Sequence, residues 1–410
     1  MDALFQLSHF FLKTYNQPYQ RYLLKRHPFT NRFSIIVGPR GAGKTTLIIQ
    51  YLASWTKNYL RSSEILYVPV DHFSVGKQPI YEIAENFYNH GGKLIVFDEI
   101  HKYSNWSIEL KSIYDRFPEL KMIASGSSAL EIWKGSHDLA RRAIVYTLHG
   151  LSFREYIDLM HNTKTQPISL ENLVANHESL AEEYTSNCEK HHHKVLIHFK
   201  NYLKIGFFPY FREYQNPEQY YITLEQMIHT TLESDLLSIY PTLNGSSIKK
   251  IKKLLSIIAA SVPFTPDLKH LKKLIDVADE RTLKNYLFYL EKACLINALY
   301  KHGKGLREME KPEKIYLNNP NQVYAILADG KQNIGNIRET FFINMLSVDH
   351  EITASKKGDF LINDQYTFEV GGKNKGFKQI KGVKQSYLAI DNIEIGIRQK
   401  IPLWLFGFLY

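Results

Sequence analysis

Apolar positions fall into distinct rhythms along the chain, and each rhythm predicts a different kind of element. Between residues 30 and 150 they come as short unbroken runs: Phe33 to Val37, Ile65 to Val70, Leu94 to Phe97 and Met122 to Ser125. Runs without polar alternation suit central strands buried on both faces of a parallel sheet. Helical stretches lie between them, the first from Lys44 to Leu52, so this part predicts an α/β domain built on a doubly wound parallel sheet. From Leu151 to about Tyr240 the pattern changes to long helical segments broken near Pro167 and at Gly206 to Pro209, a helical lid or connector. Residues Ser247 to Ile296 then place apolar side chains at helical spacing three times over: Ile251, Leu254, Leu255 and Ile258; Leu268, Leu271 and Leu274; Leu283, Tyr286, Leu287 and Leu290. Three short helices in succession predict a helix-turn-helix unit. Strand signals return at Asp359 to Ile362, Tyr366 to Val370 and Ser386 to Ile390, after a helix from Arg338 to Leu346, giving a last unit of mixed α and β character. The divisions expected are therefore 1–150, 151–245, 246–310 and 311–410.

A chain of 410 residues is long enough for two or three separately cored units. Hydrophobic content of 44% and charged content of 22% are those of a globular protein and exclude a disordered or collagen-like one. Lysine and arginine number 51 against 41 acidic residues, a net +10 that favours polyanionic partners such as nucleic acid or nucleotide phosphate. The only cysteines, Cys188 and Cys294, form neither a disulfide scaffold nor a metal knuckle, which points to a reducing, cytoplasmic setting. No apolar run reaches the roughly 18 to 20 residues of a spanning helix, and Met1 to Lys13 lacks the pattern of a secretion signal. No membrane association is expected. The apolar tail Ile401 to Tyr410 reads as a last packed strand or helix. Adjacent His191, His192 and His193 would point in different directions on a helix and cannot share one ion.

The chemistry concentrates behind the first strand. Gly38-Pro39-Arg40-Gly41-Ala42-Gly43-Lys44-Thr45 matches the phosphate-loop pattern G-x-x-x-x-G-K-[ST] between a strand and a helix, with Thr46 following. Gly41 and Gly43 can take positive φ, which turns successive amides inward, and the helix adds its positive end to the phosphate cradle. Lys44 is expected on the β and γ phosphates of ATP and Thr45 on magnesium. The run Leu94 to Phe97 ends in Asp98-Glu99, which a parallel sheet brings to the same carboxyl edge as the loop. Asp98 would hold Mg2+ through water, and Glu99 would polarise the water attacking the γ-phosphate. The next strand leads into Gly126-Ser127-Ser128, where Ser127 is the expected orienter of that water. Arg141 and Arg142 offer a cation for developing charge, in cis or from another subunit; a solvated basic pair is the alternative.

Taken together, GPRGAGKTT, LIVFDEIHKYSNW, ASGSSAL and LHGLSFREY resemble the prokaryotic AAA+ ATPases of the archaeal-ATPase type, related to the STAND signalling branch, that carry a carboxyl-terminal domain of uncharacterised function. The resemblance covers nearly the whole chain. It implies an ATPase core, a helical lid, a winged-helix module and a terminal domain similar to PD-(D/E)XK nucleases. In the winged helix, Arg281, Lys284 and Asn285 would face outward from the recognition segment, and Lys249, Lys250, Lys252, Lys253, Lys269, Lys272 and Lys273 add positive charge. In the terminal domain Glu339, Asp359 and Glu369 resemble the acidic, metal-holding set of the nuclease fold. The expected E-x-K lysine is replaced by Gly371, with Lys373 two places on, so a binding domain is favoured over an active nuclease. Lys373, Lys375, Phe377, Lys378, Lys381 and Lys384 either touch a nucleic-acid backbone or keep an edge strand soluble. Gly371-Gly372 reads as a hairpin turn.

These features favour a Mg-dependent ATPase acting as a nucleotide-driven switch, its partners being ATP and either DNA or another protein, with assembly into a homo-oligomer allowed. Two alternatives are a DNA-binding regulator that holds ATP as a structural ligand, and an ATP-gated nuclease.

Overall fold

In the computed structural model the described residues are 1–76, 78–126, 139, 141–190, 194–240, 242–261, 265–301, 311–327 and 332–410. They form two compact units, Met1–Gly150 and Leu151–Tyr410. The second unit takes in all three of the divisions expected beyond residue 150. Ser127 and the histidines His191 to His193 lie outside the described residues.

The first unit is built on strands β1 (Phe33–Val37), β2 (Ile65–Pro69), β3 (Leu94–Asp98), β4 (Lys121–Gly126) and β5 (Ile144–Thr147). Their order across the sheet is β2-β3-β4-β1-β5, and each neighbouring pair is parallel. β1, β2 and β3 are buried at every position, which is why they read as continuous apolar runs. β5 is the edge strand. Its Ile144 and Val145 are 49% and 45% exposed. At the other edge, the helix Asp2–Tyr15 covers β2, and Ser8 Oγ accepts the Tyr67 amide at 3.0 Å. One continuous core joins Phe33, Ile35, Leu66, Val68, Ile95, Phe97 and Met122 to the helices Ile80–Asn89 and Trp106–Arg116. Because every strand runs the same way, the residues that follow β1, β3 and β4 all emerge at one edge.

In the second unit, Ser152 and Glu155 form a reciprocal capping box at the start of the helix Phe153–His161. Arg154, almost wholly buried, donates to the Tyr410 carbonyl at 2.9 Å and to Asp158 at 3.2 Å. The Leu-Ser-Phe-Arg-Glu-Tyr stretch is thus architectural. Three helices, Gly245–Ala260, Leu268–Leu274 and Glu280–Lys292, are capped by Asn244, Asp267 and Asp279. They lead into β6 (Ile296–Leu299), which pairs antiparallel with β7 (Lys314–Leu317). A second sheet holds β8 (Ile352–Ala354), β9 (Phe360–Ile362), β10 (Tyr366–Gly371), β11 (Ser386–Ile390) and β12 (Lys400–Pro402) in the order β12-β11-β10-β9-β8. β10 and β11 are parallel, with Val370 opposite Ala389. Gly371-Gly372 therefore opens a crossover rather than the expected hairpin, since a tight turn can join only antiparallel strands. The tail forms β12 and a 3-10 helix, Leu403–Phe408, buried throughout.

Candidate functional site

β1 ends in a loop whose geometry follows from its glycines. Gly38 adopts φ +154°, and a Cβ there would lie 2.1 Å from the Leu148 carbonyl oxygen, so no side chain fits. Gly41 and Gly43 take φ of 80° and 92°, the left-handed region that glycine enters at no steric cost. Gly43 caps the helix Lys44–Trp55, so the amide-rich helix start faces the loop. Lys44 is 4% exposed, and its ammonium folds back on the loop, donating to the carbonyls of Gly38 at 2.9 Å and Pro39 at 3.2 Å. Thr46 occupies the first turn of the helix beside Thr45.

The register places β3 against the loop. Phe97 pairs with Ala124 and Val37 with Gly126, so Asp98, which ends β3, and Ser125, next to last in β4, lie beside the start of the loop. Thr45 Oγ1 donates to Asp98 Oδ2 at 2.7 Å. Two further hydroxyls converge on the same carboxylate: Tyr67 donates to Oδ2 at 2.5 Å and Ser125 donates to Oδ1. The Glu99 amide donates to Oδ1 at 3.1 Å. Burial pushes the Tyr67 phenol far above its usual range, and the Asp98 charge pushes it further, so Tyr67 keeps the proton it donates to Asp98.

Glu99 sits in the left-handed region at φ 54°, ψ 37°, an uncommon conformation for a residue with a side chain. Its carboxyl lies 3.5 Å from His101 Nδ1. Burial raises the Glu99 carboxyl above the ordinary carboxylate range; Lys44 and Arg40 pull it down, and Asp98 and Asp71 push it up. A partly buried acid between cations and a second acid is the kind of environment that tunes proton-transfer groups.

Arg142 lies elsewhere. It precedes β5, at the amino edge of the sheet, whereas the loop follows β1 at the carboxyl edge. Its guanidinium makes a bidentate pair with Asp115 at 2.8 and 2.9 Å. The expectation that Arg142 meets phosphate charge in its own chain is corrected by that position. The signals for Tyr67 and Ser125, missed by sequence reasoning, were hydroxyls inside otherwise apolar buried strands, which must find a partner.

In the second unit, Glu339, Asp359 and Glu369 come into one neighbourhood, but lysines occupy it. Lys314, from β7, lies 3.1 Å from Asp359 and 3.8 Å from Glu339; Lys375 pairs with Glu369. Tyr316 also donates to Glu339, at 2.7 Å. Burial, then the Asp359 charge, raise the Glu339 carboxyl to about 7. Among the described residues no group of three or more His, Cys, Asp or Glu is arranged to hold a metal ion, these three carboxylates included. Arg281 and Asn285 are exposed on the helix Glu280–Lys292 and Lys284 is half-buried, on the face opposite the buried Leu283, Tyr286, Leu287 and Leu290. Two of the neighbouring lysines are engaged, Lys250 with Asp276 and Lys252 with Glu233.

Residues 30–157 match the family model described as an AAA domain. With the five-stranded parallel sheet and the loop after β1, this makes the first unit a P-loop fold of AAA type. Residues 196–332 match a domain of unknown function (DUF8612). An uncharacterised protein of Methanocaldococcus jannaschii is 27% identical over 296 residues, covering 68% of this chain; the match spans 59% of that relative's length. Among solved structures, the Walker-type ATPase of Pyrococcus abyssi superposes with a TM-score of 0.40 and 11% identity, over 74% of this chain and 93% of that one. A DNA replication initiation factor superposes at 0.26 and 16%, over 66% and 85%. Among the described residues no helix is long and apolar enough to cross a membrane.

Proposed function

We propose that the chain is a magnesium-dependent ATPase whose hydrolysis drives a switch between states. The observation that carries this reading is the 2.7 Å contact between Thr45 and Asp98, two oxygens expected around one metal ion, beside the buried Lys44. Hydroxyl, carboxylate and phosphate oxygens suit Mg2+, and Thr45 and Asp98 would hold it. The ion, when bound, neutralises charge on the β and γ phosphates.

The chain's own groups supply the rest. Lys44 exchanges the carbonyls of Gly38 and Pro39 for phosphate oxygens, and the amides of residues 41–46 receive the remainder. Glu99 takes a proton from the attacking water as its oxygen bonds to the γ-phosphorus. The bond from that phosphorus to the bridging oxygen breaks, and ADP and phosphate leave. Tyr67 and Ser125 hold the Asp98 carboxylate in register for its part.

Titration calorimetry with ATP and phosphate release test the reading. Lys44→Ala should lose binding by at least about a hundredfold, whereas Glu99→Gln should bind normally and slow turnover by about a hundredfold or more. Turnover by Glu99→Gln equal to the parent would remove Glu99 as the base.

A second reading is added by the order of elements in residues 245–317. Three capped helices followed by an antiparallel strand pair are the parts of a winged helix, and they support a role for Arg281, Lys284 and Asn285 in binding nucleic acid. Anisotropy with duplex DNA should show affinity falling with salt and falling again on Arg281→Ala. Absence of binding at low salt would leave this module as a protein-contact surface.

A further inference from the structure

Behind the phosphate loop runs a short strap, Gln17 to Tyr22, that no part of the nucleotide reading uses. It is fastened at three places. Gln50, on the helix that begins with Lys44, donates its amide to the carbonyls of Gln17 at 2.6 Å and Tyr19 at 2.7 Å. Arg21, only 5% exposed, spreads its guanidinium over three carbonyl oxygens: Ala42 at 2.5 Å, His149 at 2.8 Å and Gly150 at 2.8 Å. Tyr22 donates its hydroxyl to the Thr147 carbonyl at 3.2 Å and receives the His149 amide at 3.4 Å.

Ala42 belongs to the loop itself, and Thr147 to Gly150 are the last residues of the first unit, after which the chain enters the second at Leu151. The same connector also meets the start of the loop directly. The Leu148 amide donates to Val37 at 2.8 Å, and the Leu148 carbonyl fills the space a Gly38 side chain would need.

Burying a guanidinium is costly unless its donors are met, and here a planar fork meets carbonyls from two separate segments. In a trans peptide the carbonyl and the following N–H point in opposite directions. A donor gripping the Ala42 oxygen therefore turns the Gly43 amide away from Arg21, and holds it there.

We propose that Arg21 is a positioning residue of the nucleotide site, setting the Ala42–Gly43 peptide for phosphate and tying the loop to the connector Thr147–Gly150. ATP in the loop then stiffens the connector through Arg21 and Tyr22. This rests on the nucleotide reading above and adds to it a route by which occupancy reaches the chain leading into the second unit.

The test is hydrogen–deuterium exchange of the 410-residue chain with and without saturating ATP, beside calorimetric ATP affinity. In the parent, ATP should slow exchange both in residues 38–46 and in residues 147–150. Arg21→Gln should weaken ATP binding by about tenfold, as loss of charged hydrogen bonds does. At saturation it should keep protection of 38–46 and lose that of 147–150. Arg21→Lys, which keeps the charge without the fork, should restore part of the affinity but not the connector protection. Should Arg21→Gln not fold, Tyr22→Phe decides: reduced protection of 147–150 supports the link, and unchanged protection overturns it. If Arg21→Gln and Tyr22→Phe bind ATP and protect 147–150 as the parent does, the clasp is wrong while the ATPase reading stands. If the parent gives no heat with ATP, both fall together.

Discussion

Gly38 shows how tightly single residues are specified around the phosphate loop. Its missing Cβ would lie 2.1 Å from a backbone oxygen, and a backbone oxygen cannot swing aside as a side chain can. Gly38→Ala must displace either β1 or the Leu148 segment, at a cost on the order of 3 kcal/mol. A urea unfolding series should show that loss together with weakened ATP binding; an unchanged midpoint would mean that the Leu148 approach is not a fixed feature. Glu339 makes a second prediction. Its carboxyl is raised to about 7 from an ordinary 4.5, chiefly by burial and then by Asp359. Below the lower value it is protonated folded or unfolded. Between the two values the unfolded chain has released the proton while the folded chain retains it, so stability is lost as pH rises through this window. Unfolding midpoints of the parent should therefore fall from about pH 4.5 to about pH 7 relative to those of Glu339→Gln, which lacks the titration. Parallel pH profiles for the two proteins would contradict the burial assigned to that carboxyl.

At the scale of elements, the buried strands were the most legible part of the chain. β1 matches its apolar run residue for residue, and β2, β3 and β4 differ from theirs by one or two positions at an end. Among the strands not read in advance, β5 has four residues and lies at an exposed sheet edge, and the three-residue β8 is too short to form a pattern. The helices of residues 245–292 were legible from their repeated apolar spacing, while their caps Asn244, Asp267 and Asp279 emerged only with the structure. The turn at Gly371-Gly372 was misread, since glycine pairs mark tight bends without saying whether the next strand returns beside the first or crosses over. Register then decided the site. Phe97 opposite Ala124 brings Ser125 to Asp98, and the position of β5 carries Arg142 to the far edge.

Across the whole molecule, the interactions that give the candidate sites their character are long-range. Arg21 reaches a carbonyl 129 positions away, Tyr67 an acid 31 positions on, and Lys314 an aspartate 45 positions on. Ser127, the expected water orienter, lies outside the described residues, whereas Ser125, two positions earlier, makes the contact with Asp98. The amino-acid sequence by itself determined the phosphate loop, the acidic end of β3 and the parallel sheet that joins them, because glycine conformations and continuous apolar runs act within a few neighbouring residues. Only the tertiary structure decided which hydroxyls surround Asp98, that lysines occupy the carboxylate cluster of the second unit, and that a buried arginine grips the loop from behind. Those contacts depend on strand order and register, which no local stretch of the chain encodes.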